Sequence, residues 1–344
     1  MNTATMNTAT KAPLALDAAR ALAADALMAS RTGENNARVT AAALVAAEAD
    51  GIASHGLARL AAYAQQAISG KIDGFAEPVL DWTGPATLRV DARTGFAFPA
   101  IGQGLAAAAT RARETGVVAV AVRASHHAGV MGHHVEWLAD QGLVGLAFSN
   151  SPAAIAPWGG SRGVFGTNPI AFAVPRGEGP ALVIDASLSK VARGKIMIAA
   201  QKGTPIPSDW ALDAQGQPTG DAKAALAGTM LPIGDAKGAA LVLMVEILAT
   251  VLTGGQFGFE ASSFFTAEGP APRIGQLFLA LDPVRLGGAD FPARLEILLS
   301  AILGQDGTRL PGERRIAARQ RAERDGIQVD PEILADLLRR AGRA

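Results

Sequence analysis

The sequence predicts an α/β fold built around a mixed sheet. The first observation is a set of apolar runs, rich in β-branched residues, that are typical of buried strands. They span residues 117–122, 143–148, 170–174, 181–185 and 274–281. The second is the helical spacing of small and apolar residues between and around these runs. Because 49% of the 344 residues are hydrophobic, the chain can fill a large core in one or two domains.

The remaining elements follow from apolar spacing and from glycine or proline at segment ends. Helices are predicted over residues 12–32, 36–50, 54–69, 102–115, 132–141, 238–253, 290–303 and 331–342. Residues 78–98 are predicted to be extended, with a turn at Gly84-Pro85. Helix 238–253 is rich in Ala, Leu and Val, so we expect it to be buried on most sides.

Composition excludes several classes of protein. Lys+Arg and Asp+Glu both number 31, so nothing in the charge favours nucleic acid or an anionic membrane as a partner. Cysteine is absent, which excludes disulfides and thiolate chemistry. The longest apolar stretch, Gly238 to Leu252, is short and contains Glu246, so we expect a soluble, cytoplasmic protein. Residues 1–11 begin with a repeated Met-Asn-Thr-Ala-Thr and are expected to be disordered.

The segment Ser54-His55-Gly56-Leu57-Ala58-Arg59 is the strongest candidate for chemistry. Ser54 is predicted to cap helix 54–69. His55, Arg59 and Tyr63 are four residues apart, so they should share the helix face that apolar residues avoid. A proton donor and a guanidinium at a helix N-terminus suit a small carboxylate substrate that must be protonated. The alternative is that Ser54 is only a cap and Arg59 a solvated surface charge.

Four of the five histidines lie within nine residues, at His126, His127, His133 and His134. This density suggests zinc, but adjacent side chains diverge, and few carboxylates are near. The glycine-rich turn between strand and helix is a better candidate for a cofactor loop, because backbone N–H groups at a helix start hold phosphates. The alternative is a plain turn with exposed histidines.

One further motif is a decoy. Gly102-Gln103-Gly104 resembles a dinucleotide fingerprint, but no buried strand precedes it, and Glu114 lies too close and within the same helix. We interpret this motif as a helix start. Lys237, in contrast, stands before helix 238–253 and opposes its dipole, which suggests a bound anion between them.

These segments together resemble the malate/L-lactate dehydrogenase family of NAD(P)H-dependent oxidoreductases, which lacks a Rossmann fold. The resemblance extends from about Ala12 to Ala341. Its carriers are Ser54-His55-Gly56 with Arg59, Ser125-His126-His127-Ala128-Gly129, Ala156-Pro157-Trp158-Gly159-Gly160, Gly166-Thr167-Asn168-Pro169, Ala192-Arg193-Gly194-Lys195, Trp210-Ala211-Leu212-Asp213 and Leu310-Pro311-Gly312-Glu313-Arg314. Each motif is weak alone, but the set is highly specific.

The resemblance implies roles for individual residues. His55 would donate the proton, with Ser54 linked to it, and His127 is a second candidate for that role. Arg59 would bind the substrate carboxylate. The residues implied in cofactor binding are His126, His127, Ala128, Gly129, Val130, Thr167, Asp185, Ala186, Ser187, Arg193, Gly194, Ala236, Lys237, Pro311, Gly312, Glu313 and Arg314.

The resemblance also implies an architecture. Residues 12–120 and 290–344 would form a helical substrate and dimerisation domain, and residues 121–289 a non-Rossmann NAD(P)H-binding domain. A homodimer is expected, because the family pairs and because helices 12–32 and 331–342 have apolar faces to cover. NADPH is expected over NADH because Lys195, Lys237, Arg314 and Arg315 lie in or near cofactor segments. No metal is expected, since a histidine can supply the proton.

Within the family, Asp235-Ala236-Lys237-Gly238-Ala239-Ala240-Leu241 is similar to the imino-acid reductases. The expected reaction is reduction of Δ1-pyrroline-2-carboxylate or Δ1-piperideine-2-carboxylate to L-proline or L-pipecolate. One departure weakens this assignment: Lys195 follows Gly194, where some imino-acid reductases carry an acidic residue. The alternative is a dehydrogenase of a 2-hydroxy acid of the malate, lactate, ureidoglycolate or sulfolactate type.

Overall fold

A computed structural model describes residues 13–343, and the expectation for residues 1–11 lies outside this range. A seven-stranded mixed sheet forms the centre of the structure, in the order β2-β3-β4-β10-β5-β6-β7. Its strands are β2 (Val79–Gly84), β3 (Thr87–Asp91), β4 (Val117–Ser125), β5 (Val144–Ser149), β6 (Ile170–Val174), β7 (Leu182–Ala186) and β10 (Ile274–Leu281). Two-stranded ladders join β1 (Pro13–Leu14) to β11 (Ile327–Gln328) and β8 (Ala211–Leu212) to β9 (Thr229–Met230). The predicted α/β fold with a mixed sheet is confirmed.

Twelve α-helices surround these strands in the described part of the chain. They are α1 (Leu16–Met28), α2 (Glu34–Ala49), α3 (Leu60–Ser69), α4 (Ala97–Thr115), α5 (Met131–Asp140), α6 (Arg193–Lys202), α7 (Ala222–Ala227), α8 (Asp235–Glu246), α9 (Pro283–Gly287), α10 (Phe291–Leu303), α11 (Glu313–Asp325) and α12 (Pro331–Arg340). A π-helical turn, Ile247–Val251, continues α8. The extended segment predicted over 78–98 ends at Asp91, and residues 97 and 98 already belong to α4.

Three apolar clusters fill the interior. Helices α4 and α5 pack on one face of the sheet, where Val120, Phe278 and Ala147 point towards them. The other face carries Phe148 and Leu277, which pack with residues of α6 and α8. The third cluster joins α1, α2, α3 and α12, so the two ends of the chain share one core. The proposed domain bounds remain a prediction.

The sequence analysis misjudged two apolar surfaces. Helix α8 with its π-helical turn is not buried on most sides: Leu241, Met244, Ile247 and Val251 are 40–61% exposed on one stripe. The faces of α1 and α12 that were expected to be open instead pack on each other, with Leu27 and Leu337 in the shared core. Sequence spacing predicts a helix's apolar faces, but which of them meet inside one chain depends on the tertiary fold.

The register of the sheet places several predicted segments at one end of it. Ile274 pairs with Ser125, Gln276 with Ser149, and Ile170 with Ala186. The loops that follow β4, β5 and β7, and the loop that precedes β6, therefore start from the same sheet end. Ligands of α/β proteins commonly bind at such an edge.

Candidate active site

The segment from Ser54 to Arg59 does not begin an α-helix. It forms two short 3₁₀ turns, Ala53–His55 and Leu57–Arg59, separated by Gly56. Gly56 packs against α2, where an added Cβ would lie 2.1 Å from Glu48 Oε2. The Leu57 N–H donates to Glu48 Oε2 at 3.0 Å. The predicted N-cap role of Ser54 is therefore wrong, because Glu48 binds the exposed backbone and α3 starts only at Leu60.

Arg59 is buried, with 7% of its surface exposed. Its Nε has no hydrogen-bond partner, and no carboxylate of the described residues pairs with it. The guanidinium carbon lies 4.4 Å from the ring centroid of Phe265 and 5.9 Å from that of Tyr63. The alternative of a solvated surface charge is wrong. A buried cation without an anion is costly, which is typical of a site that an anionic ligand completes.

Tyr63 is fully buried, so the face shared with Arg59 is an interior face and not one that apolar residues avoid. Its hydroxyl lies 2.6 Å from His127 Nδ1. Burial raises the pKa of Tyr63 to about 12, and the Arg59 charge opposes that rise. Burial, then the charge of Arg59, holds the pKa of His127 well below its usual range. Both groups are therefore neutral at pH 7.

His55 lies between these groups and solvent. Its Nδ1 is 3.0 Å from Ser54 Oγ, and its ring centroid is 5.3 Å from that of His127. Burial, followed by the charges of Arg59 and His133, lowers the pKa of His55 to about 4. The free protein thus holds a neutral imidazole beside an unpaired guanidinium. An anion bound to Arg59 would remove part of the repulsion and raise the pKa of His55.

The remaining histidines diverge, as adjacent side chains were expected to. His126 Nε2 lies 2.9 Å from Gln66 Oε1, His133 Nε2 lies 2.8 Å from Asp50 Oδ2, and His134 Nε2 lies 2.8 Å from the Ala128 carbonyl. The turn does not expose its histidines, since His126 is 1% exposed. Within residues 13–343, no group of three His, Asp or Glu side chains is placed to hold a metal ion.

The loop from His126 to Val130 joins β4 to α5, and Gly129 has φ +67° with Phe98 packed against it. Asp185, at the end of β7, accepts a hydrogen bond from the Gly132 N–H at 2.7 Å. Burial raises the pKa of this carboxyl group. The start of α5 therefore already has an acidic partner, so this N–H is not free for a phosphate as the sequence analysis expected. Asp185 instead fixes the loop against β7.

The other predicted cofactor segments gather beyond the sheet end. Ile233 N–H donates to the Leu188 carbonyl at 2.8 Å, which brings the chain after Ser187 beside the start of α8. Thr167 is held by Ser151 Oγ, 3.1 Å from its N–H. Helices α6 and α8 begin without a side-chain cap, and their first turns carry Arg193-Gly194 and Ala236-Lys237. Lys237 is exposed in the first turn of α8, which also carries the acidic Asp235, so the two helix starts offer Arg193 and Lys237 to a phosphate.

The turn Pro311-Gly312-Glu313-Arg314 lies beside β7. Gly312 has φ +91° and starts α11, and an added Cβ would lie 3.6 Å from the Val183 carbonyl. Glu313 Oε1 accepts from the Leu310 N–H at 2.9 Å, while Arg314 is exposed. Arg315 does not belong with the cofactor cations, because its guanidinium pairs with Glu136 at 2.6 Å and with Asp50 at 3.0 Å.

That pairing is part of a buried ion network that the sequence analysis missed. Asp50, directly after α2, contacts His133, Arg315 and Arg319 at 2.8–3.0 Å, and its side chain is fully buried. Glu136 of α5 shares both arginines. Burial opposes the shifts, but Arg319 and His133 hold the pKa of Asp50 below its usual value, and Arg315 and Arg319 do the same for the pKa of Glu136. The network links α2, α5 and α11 next to the histidine loop. Its members are far apart in the sequence, so no local pattern predicts it.

Comparison with known proteins identifies the class as the NAD(P)-linked oxidoreductases. The sequence pattern of the malate/L-lactate dehydrogenase family matches residues 14–338. This chain belongs to that family, which confirms the resemblance found in its motifs. It is 54% identical to an NADP(+)-linked (2R)-3-sulfolactate dehydrogenase of Chromohalobacter salexigens over 95% of this chain and 97% of that protein.

Imino-acid reductases are also similar. The chain is 42% identical to a Δ1-pyrroline-2-carboxylate/Δ1-piperideine-2-carboxylate reductase of Pseudomonas aeruginosa, over 94% of this chain and 98% of that protein. The crystal structure of Δ1-piperideine-2-carboxylate reductase from Pseudomonas syringae superposes with a TM-score of 0.90 at 38% identity, covering 96% of this chain and 99% of the other. No helix in the described part of the chain is long and apolar enough to span a membrane.

Proposed function

We propose that this protein transfers a hydride between NADPH and C2 of a small 2-oxo or 2-imino carboxylate. The observation that carries the proposal is the buried Arg59 guanidinium, which no carboxylate of the described residues pairs, within a cluster of neutral acid–base groups. A carboxylate would supply the missing anion through two parallel N–H···O hydrogen bonds. Its reactive carbon would then lie near His55 and His127.

His55 is the proposed proton donor, with Ser54 orienting its Nδ1 side. Because Arg59 lowers the pKa of His55 in the free protein, binding of the substrate carboxylate would favour uptake of a proton by His55. His127, fixed by the hydroxyl of Tyr63, is the second candidate for that role. In the oxidation direction, the same imidazole would accept the proton from the hydroxyl or amine.

NADPH would be held where Thr167, Asp185 to Ser187, Arg193 to Gly194, Ala236 to Lys237 and the Pro311 turn meet. The uncapped starts of α6 and α8 fit its phosphates, since their first-turn N–H groups have no side-chain partner. When bound, the nicotinamide supplies the hydride. Lys237 and Arg314 are the exposed cations that suit a 2′-phosphate, and NADH is the alternative.

For the substrate, we favour a 2-hydroxy acid and its 2-oxo partner of the sulfolactate type. The 54% identity to a sulfolactate dehydrogenase supports this choice. Lys195 also supports it, because the resemblance to imino-acid reductases leads us to expect an acid there. The cyclic imino acids remain the second candidate, supported by the 42% identical reductase and by the similarity of Asp235 to Leu241.

A panel of substrates tests the proposal. NADPH oxidation would be measured with 3-sulfopyruvate, pyruvate, oxaloacetate and Δ1-pyrroline-2-carboxylate, and NADP⁺ reduction with (2R)-3-sulfolactate and L-proline. We expect turnover of at least one carboxylate, with 3-sulfopyruvate giving the highest kcat/KM. Preference for the cyclic imine would select the second candidate. No turnover of any carboxylate by folded protein would contradict the proposed function.

We also propose that the protein is a homodimer, as the family resemblance implies. The exposed stripe of Leu241, Met244, Ile247 and Val251 supports this, because contiguous apolar surface commonly marks an interface. Light scattering should give the mass of two chains. Ile247→Glu should give monomers, whereas Ile297→Glu on α10, which is also exposed, should not. A monomeric wild-type protein would contradict this proposal.

A further inference from the structure

A short aromatic segment covers the candidate site. The segment Ser262–Glu268, which we name the strap, precedes β10 and contains Phe264 and Phe265. The Phe264 ring centroid lies 5.1 Å from the ring centroids of both His126 and His127. Phe265 lies over the Arg59 guanidinium at 4.4 Å. Two consecutive aromatic residues of the strap thus contact His127, a candidate proton donor, and Arg59, the proposed carboxylate-binding residue.

The end of α3 and the residues after it hold the strap. Lys71 is 3% exposed, and its ammonium donates to the carbonyls of Ser263, Thr266 and Glu268 at 2.7, 3.0 and 2.8 Å. These three bonds match the three donors of a lysine. Gln66 Nε2 donates to the Phe264 carbonyl at 2.9 Å, and Ser69 Oγ to the Ala267 carbonyl at 3.1 Å.

This anchoring is unusual because it serves a loop without regular secondary structure. A buried lysine bonded only to carbonyls gives up strong hydration, and its burial lowers its pKa. Its three hydrogen bonds offset part of this cost, and they fix the backbone of the strap at three points. Because Arg59 immediately precedes α3, the strap and the guanidinium are held by the same element. Their relative position is therefore set by α3 and the two residues that follow it.

The face and the edge of a guanidinium have different uses. The face stacks on aromatic rings, whereas the N–H groups project from the edge, where a carboxylate binds. The Phe265 ring is 58% exposed, so it is not a core residue placed there by burial. Stacking of Phe265 on the guanidinium face would leave its edge to a ligand.

We infer that Phe265 is a positioning residue for the carboxylate-binding arginine, and that Lys71 holds Phe265 in place. Phe265 restricts the orientation of the Arg59 guanidinium, and so fixes the direction from which a substrate carboxylate binds. This inference rests on the proposed function, in which Arg59 binds that carboxylate. Lys71 acts from outside the site, through the strap backbone.

Substitution of Phe265 tests the inference. Phe265→Leu removes the aromatic face and should raise the KM of the carboxylate substrate roughly 3- to 30-fold, the range expected for loss of one cation–π contact. The kcat and the KM of NADPH should change little. Phe265→Tyr keeps the ring and should restore the wild-type KM. If Phe265 only stabilised the fold, its substitution would not raise the KM of the substrate while leaving the KM of NADPH unchanged.

Matched controls exist in the same chain. Phe259 is 59% exposed and stacks on Phe257 away from Arg59, so Phe259→Leu should leave the KM unchanged. Lys71→Met should raise the substrate KM in the same direction as Phe265→Leu, whereas Lys202→Met, at an exposed lysine, should not. If Lys71→Met fails to fold, Phe265→Leu and Phe265→Tyr still test whether Phe265 positions Arg59.

A binding experiment separates this inference from the proposed function. Phe265→Trp places a fluorophore over Arg59, and titration with pyruvate should give a saturable change in its emission. The change should disappear when Arg59→Met is added, and Phe259→Trp should not respond. A wild-type protein without turnover but with this response would contradict the proposed function alone. Equal KM values for Phe265→Leu and Phe259→Leu, or no emission change with Phe265→Trp, would overturn the inference.

Discussion

Replacing Arg59 by lysine separates the charge of this residue from its shape. Lysine keeps the positive charge but loses the planar fork that binds both carboxylate oxygens. Arg59 is buried and has no competing carboxylate within residues 13–343, so a bound substrate would rely on both N–H groups. One hydrogen bond to a charged group is worth about 1.5–3 kcal/mol.

We therefore expect Arg59→Lys to lower kcat/KM for carboxylate substrates by roughly 12- to 140-fold, since about 1.4 kcal/mol corresponds to a factor of ten. Most of the loss should appear in KM. Initial rates of NADPH oxidation over a range of substrate concentrations give both constants, and NADPH binding measured separately should be unchanged. If kcat/KM stayed within roughly threefold of wild type, Arg59 would not bind the substrate carboxylate.

Three further predictions follow from named residues. His55→Ala should lower kcat by about 10²–10⁴-fold with cofactor affinity intact, and retention of more than roughly a tenth of kcat would exclude a proton-donor role. Asp50→Asn should destabilise the protein by about 3 kcal/mol in urea unfolding, because it removes one of the two buried carboxylates that Arg315 and Arg319 share, whereas Asp81→Asn at an exposed pair should cost under about 1 kcal/mol. Because folding lowers the pKa of Asp50, the stability that its carboxylate contributes is present above pH 3.8 and is lost as the pH falls below that value. Asp50→Asn should therefore lose less stability on acidification than Asp81→Asn. Equal losses in the two variants would contradict this. The kcat/KM measured with NADPH should be at least roughly tenfold higher than that with NADH, and Lys237→Gln should lower this ratio. Equal kcat/KM values for the two cofactors would refute the assignment of NADPH.

The elements with strong local signals were predictable from the sequence. Strands β6 and β10 have the predicted bounds, because each is a continuous apolar run that the sequence shows without tertiary information. Gly102-Gln103-Gly104 was correctly rejected as a phosphate loop. It lies inside α4 and not at a helix start, and Gly104 allows close packing on Val90.

The predictions that failed depend on residues far apart in the chain. Ser54 is a good capping residue, yet Glu48 of the preceding helix binds the backbone after Gly56, and no local rule reveals that contact. The helix with Tyr63 was placed on a polar surface because its packing partners, Phe96 and Phe98 among them, are distant in sequence. The roles of Lys71 and Phe265 are not predictable from the sequence for the same reason. A lone lysine and a pair of phenylalanines carry no motif; only the fold brings Phe265 to Arg59 and the strap backbone to Lys71.

The central claim is that the site recognises a carboxylate, and comparing an acid with its uncharged amide tests it most directly. The 2-oxo acid with the highest kcat/KM and the corresponding 2-oxo carboxamide differ only in the group that Arg59 would bind. A site with a buried, unpaired guanidinium should prefer the acid by on the order of 10³-fold in kcat/KM. Reduction of the carboxamide at a rate within roughly tenfold of the acid would contradict the account.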